Sequence, residues 1–66
     1  MKSKKLYYDS AEIGAKCKAL RLELGESQLT VARETGTKQS AVSMFESGKM
    51  LSSRILFWYV KRGVKL

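Results

Sequence analysis

Two short helical patterns meet at a single glycine between Gln28 and Gly48, and this hinge restricts the fold more than any other feature of the chain. In the run QLTVARETGTKQSAVSMFESG, Val31, Ala32 and Thr35 form an apolar or small stripe at helical spacing. Gly36 ends that segment. Thr37 is placed to N-cap a second segment, whose inward stripe is Val42 and Phe45. A turn of three or four residues holding a glycine joins two such helices into an angled pair.

The flanking residues supply more helix. Asp9 followed by Glu12 reads as a capping box. Ile13, Cys17, Leu20 and Leu24 then recur at i, i+4, i+7 and i+11, one face of a first helix that Gly25 closes. Ser27 N-caps the second helix, which runs to about Thr35, and the third runs from about Lys38 to Ser47 before Gly48. After a loop at Lys49–Leu51, Ser52 or Ser53 caps a fourth helix that continues to about Arg62. The fold expected is all-α: a compact set of four helices, or five, over residues 9–66, behind a basic arm at residues 1–8. That arm, MKSKKLYY, has no helical period. It reads as a frayed tail, as an arm laid along a nucleic acid, or as a short strand through Leu6-Tyr7-Tyr8 that pairs with Val64–Leu66.

Sixty-six residues make one small domain, whose core needs closely packed helices or a partner chain. A net charge of +7 suits a polyanionic partner, though a solvated basic surface has the same composition. One cysteine and no histidine leave no internal disulfide and no structural zinc site, and no cofactor is expected. Cys17 lies on the inward face of the first helix, which suits a small buried apolar residue better than a redox centre. No apolar stretch follows MKSKK, so it is not a secretory signal, and the apolar run Ile55–Val60 is too short to span a bilayer. The setting expected is the cytoplasm of a bacterial host cell, with no membrane partner. Without histidine, metal cluster or glycine-rich phosphate loop, nothing points to an enzyme.

The third helix carries the most specific chemistry. At 100° per residue, Gln39, Ser40, Ser43, Met44 and Ser47 fall within about 140°, opposite Ala41, Val42 and Phe45. That arc holds an amide, three hydroxyls and a thioether, and no charge. A solvated helix face usually carries Lys and Glu, although short polar residues also simply fill surfaces. Gln39 offers a donor and an acceptor that match adenine N6 and N7, Ser40 and Ser43 can bond either kind of base edge, and Met44 can lie against a thymine methyl. Gln28, in the first turn of the second helix, is placed for a phosphate. Lys38, Lys49 and Ser47 flank the reading face as further backbone contacts, Lys49 being equally compatible with plain solvation.

These residues resemble the phage repressor and Cro type of helix-turn-helix family, the lambda-repressor-like domains. The resemblance rests on Gln28, Val31-Ala32, Gly36-Thr37, Gln39-Ser40, Val42-Ser43 and Glu46-x-Gly48-Lys49, with Arg21 seven residues before Gln28. It spans roughly residues 13–64. It implies that the third helix enters the DNA major groove, that Gln28 clamps the sugar–phosphate backbone, and that Arg21 and Glu46 form a structural ion pair. Related domains usually add a fifth, dimerising helix after the fourth. Here Gly63-Val64-Lys65-Leu66 stands in its place, so that helix is expected to be missing, and Arg62 occupies a position usually apolar.

The fourth helix reads ILFWYV, apolar on every side. If Ile55, Trp58 and Tyr59 face the core, Phe57 and Val60 project outward, as a partner surface or under a loop or tail. Phe57, Val60 and Val64, with Leu66 as an extension, are the residues expected at a homodimer interface. The leading functional expectation is therefore a transcriptional regulator that binds double-stranded DNA in a sequence-specific way, a homodimeric repressor of phage or mobile-element type reading a palindromic operator. The alternative is an antitoxin or adaptor, a protein-interaction module that uses the fourth helix and binds DNA secondarily. An RNA binder is a weaker third, because the aromatic residues form no stacking platform.

Overall fold

The computed structural model describes residues 9–66; the basic arm, including Leu6–Tyr8 and its pairing with Val64–Leu66, lies outside the described residues. Four helices follow in order: α1 (Ser10–Leu24), α2 (Gln28–Thr35), α3 (Gln39–Glu46) and α4 (Ser53–Lys61). Local chemistry sets three of their starts. Asp9 accepts from the Glu12 N–H, Ser27 from Thr30 and Ser52 from Ile55, each satisfying an amide that the first helical turn leaves open.

The start of α3 differs from expectation. Thr37 is not its N-cap; Lys38 occupies that position and makes no side-chain capping bond. Thr37 is held back in the turn, where its N–H donates to Ala32 O at 2.9 Å and its hydroxyl lies 2.8 Å from the Thr35 hydroxyl. The backbone turns at Gly36 with φ of 69°, a left-handed value that a residue with a Cβ adopts only at a cost. The first turn of α3 therefore opens to solvent uncapped by any side chain.

Val31 and Ala32 from α2, Val42 and Phe45 from α3, and Ile55, Trp58 and Tyr59 from α4 close over Cys17 of α1. Tyr59 stacks on Phe45 at 6.1 Å between ring centroids and meets Trp58 edge-on at 5.0 Å. The buried stripe of α1 is Gly14, Cys17 and Arg21. Ile13 and Leu20 pack at its margin, and Leu24, expected inside, is 45% exposed. At 100° per residue Leu24 is rotated roughly 60° away from Arg21, which takes the inward position itself. Gly14 explains the offset: a Cβ there would lie 2.4 Å from Phe45 O and 2.6 Å from Glu46 O. The backbones of α1 and α3 touch at that point.

Candidate nucleic-acid interface

α2 and α3 pack against each other across the Gly36 turn, with α1 and α4 behind them. This burial of Val42 and Phe45 leaves the opposite side of α3 in solvent. Gln39, Ser40, Ser43, Met44 and Ser47 are all exposed, and Lys38 and Lys49 are exposed at the two ends of the helix. The Ser47 hydroxyl bonds to Met44 O at 3.2 Å, closing the last turn. α3 has one acidic residue, Glu46, and that residue is buried. The outer surface of α3 is thus uncharged along its middle and cationic at both ends.

The buried Glu46 carboxylate ties all four helices together. Arg21 of α1 donates from Nε to Oε2 at 2.8 Å and from Nη2 to Oε1 at 3.0 Å, a bidentate pair, while its Nη1 reaches Glu26 O at 2.9 Å. Gln28 of α2 donates from Nε2 to Oε1 at 3.1 Å. The Tyr59 hydroxyl of α4 donates to Oε2. Burial pushes the Glu46 carboxyl up, but hydrogen bonds from Arg21, Tyr59 and Gln28 outweigh it, and the group ends below its ordinary value. Burial and the bond to Glu46 hold the Tyr59 phenol well above its ordinary range, so it remains a donor. Cys17 is pushed up to about 11, first by burial and then by the charge of Glu46. Among the described residues no buried side-chain nitrogen or oxygen lacks a partner.

Gln28 faces two ways. Its nitrogen is bound inward to Glu46, and its Oε1 accepts from Gln39 Nε2 at 3.5 Å. It joins the buried cluster to the first exposed residue of α3. The inward half of this arrangement was not visible in the sequence, where the residue stands out only as a surface amide at a helix start. The role of Tyr59 was likewise missed. A buried tyrosine must find a partner for its hydroxyl, and that requirement is the signal that pointed to one.

α4 divides as expected between core and solvent. Ile55, Trp58 and Tyr59 are buried, whereas Phe57 is 59% and Val60 46% exposed. Lys61 Nζ lies 5.2 Å from the Phe57 ring centroid. Val64 points elsewhere: it packs against the core and lines, with Lys16, Ala19 and Leu20, a groove of about 410 Å³ beside α1. Arg62, at the position usually apolar, stacks on Trp58 at 3.6 Å and pairs with Glu34 at 3.1 Å. Glu34 also accepts from the Trp58 indole at 2.7 Å. A cation thus serves at the end of α4 because its planar face covers the indole and its charge is answered by α2.

A second short helix presented to solvent across a glycine turn, neutral and hydrogen-bonding along its face, defines the helix-turn-helix class of DNA-binding domains. The Helix-turn-helix family model matches residues 18–57, more than half of the chain. The chain belongs to that family, in its phage repressor and Cro type, and is a DNA-binding regulator. Comparisons with curated proteins and with solved structures returned no match. No described helix is long and apolar enough to cross a membrane, and no described group of His, Cys, Asp or Glu could hold a metal ion.

Proposed function

We propose that this protein is a homodimeric transcriptional repressor of phage or mobile-element type, working in a bacterial cytoplasm, that reads a palindromic DNA operator with α3. The observation that carries this reading is the exposed face of α3: five neutral side chains between two lysines, with the helix's one carboxylate buried. Gln39, Ser40, Ser43 and Met44 read base edges in the major groove. Lys38, Lys49, Ser47 and Gln28 contact the sugar–phosphate backbone and set the register. The uncapped first turn of α3 supports the Lys38 contact, because its free amides and positive dipole end favour a phosphate.

Phe57 and Val60 are the centre of the dimer contact, where two α4 helices from separate copies bury their outward apolar residues. Val64 contributes at the edge, since it is partly committed to its own core. The same patch supports the reading of an antitoxin or adaptor that docks another protein there. Footprinting on a selected operator separates the two. Protection of two half-sites about one helical turn apart, ~34–36 Å, supports the repressor. Binding without sequence preference at moderate salt contradicts it.

A further inference from the structure

We propose that Tyr59, buried in α4 and away from the outer face of α3, is a positioning residue for base readout by Gln39. The inference rests on the reading of α3 as the sequence reader, and it assigns the origin of Gln39's orientation. An ionised carboxylate accepts hydrogen bonds and donates none. Glu46 Oε2 is held by Arg21 Nε and by the Tyr59 hydroxyl, and Oε1 by Arg21 Nη2 and Gln28 Nε2. Donors from α1, α2 and α4 thus converge on one group of α3, and the carboxylate cannot turn without losing one of them.

The orientation then passes outward. Because Oε1 only accepts, Gln28 must place its nitrogen inward, which leaves its carbonyl oxygen towards Gln39. That oxygen also only accepts, so Gln39 turns its own nitrogen towards Gln28, at 3.5 Å. Gln39 keeps its carbonyl oxygen and one N–H for a base. This is the pair that adenine N6–H and N7 require in the major groove. A reversed Gln39 would set two carbonyl oxygens against each other. Among the described residues Tyr59 is the one side-chain donor on Oε2 besides Arg21, so that oxygen is held from both α1 and α4.

The test is Tyr59→Phe, which keeps the ring against Phe45 and Trp58 and removes only the hydroxyl. Base selectivity is measured on operators substituted at each position, beside affinity for scrambled DNA and its salt dependence. The proposal expects selectivity to fall roughly three- to tenfold at the base pair read by Gln39, within the range of one base contact. Scrambled-DNA affinity and salt slope stay at wild-type values, which a merely loosened fold would not produce. In a Gln39→Ala background, Tyr59→Phe adds no further loss at that base pair. If Gln39→Ala relaxes selectivity and Tyr59→Phe does not, the role of Tyr59 is overturned while the reading of α3 stands. If Gln39→Ala itself leaves selectivity unchanged, both fall. Should Tyr59→Phe not fold, nitrogen-15 relaxation of the Gln28 side-chain amide in the wild-type protein decides. A rigid amide supports the relay, and a freely mobile one overturns it.

Discussion

Among the described residues, Glu46 is the one side-chain acceptor shared by donors from α1, α2 and α4. Removing one partner of such a buried pair strands the other. Arg21→Ala is expected to destabilise the protein by about 3–5 kcal/mol, most of what a domain of this size has, as read by urea unfolding. Because the folded state lowers the Glu46 titration, its contribution is complete above the ordinary value of 4.5 and drains away as pH falls below it. Thermal melts from pH 7 down to pH 3 should show this loss, and a Glu46→Gln variant should show a shallower one. Cys17 is fully buried and its thiol is raised to about 11, so iodoacetamide should label it at pH 8 only as fast as the protein opens. The ion pair was legible because resemblance places Arg21 opposite Glu46. The two further donors were not, because a hydrogen bond across helices leaves no periodic trace in a sequence.

At the scale of elements, helices α2 and α4 were legible because their apolar spacing and their serine caps agree, and α3 was legible from its apolar spacing alone, since the expected Thr37 cap gives way to Lys38. The register of α1 was not. Cys17 and Arg21 lie inward as read, but the inward place of Gly14, which a count of apolar residues passes over, was missed, and so the stripe was carried on to Leu24, which is exposed. The glycine itself is the clue: one inside an amphipathic helix costs stability unless another backbone needs the space. Gly14→Ala is accordingly expected to force α1 off α3 and cost roughly 1–3 kcal/mol despite its better helix propensity, measurable by thermal or urea unfolding. α3 invites a paired test. Gln39→Ala should lose about 1–3 kcal/mol on the cognate site and relax one base pair per half-site, whereas Lys38→Ala should weaken all sequences alike and reduce the salt slope by about 1. Identical behaviour of the two variants on cognate and scrambled DNA would remove α3 as the reader.

For the whole molecule, the function proposed above divides the labour between a reading face on α3 and an exposed apolar face on α4, joined through the buried core. Replacing Phe57 and Val60 by serine is expected to leave a folded monomer in sedimentation that occupies half-sites weakly and loses cooperative binding to the full site. Unfolding of that double variant would instead place the pair in the core, against their exposure of 59% and 46%. The N-to-C order of helices, the glycine turn and the basic surface were all open to reading in advance; the partner of α4 was not, since an apolar face does not name what covers it. The central claim is that α3 reads DNA sequence, and selection from a random duplex pool tests it most directly. The account predicts enrichment of a palindrome whose half-sites lie about one helical turn apart, with an adenine at the position that Gln39→Ala relaxes. A pool that stays random after several rounds, while the protein still retains DNA at moderate salt, would contradict it.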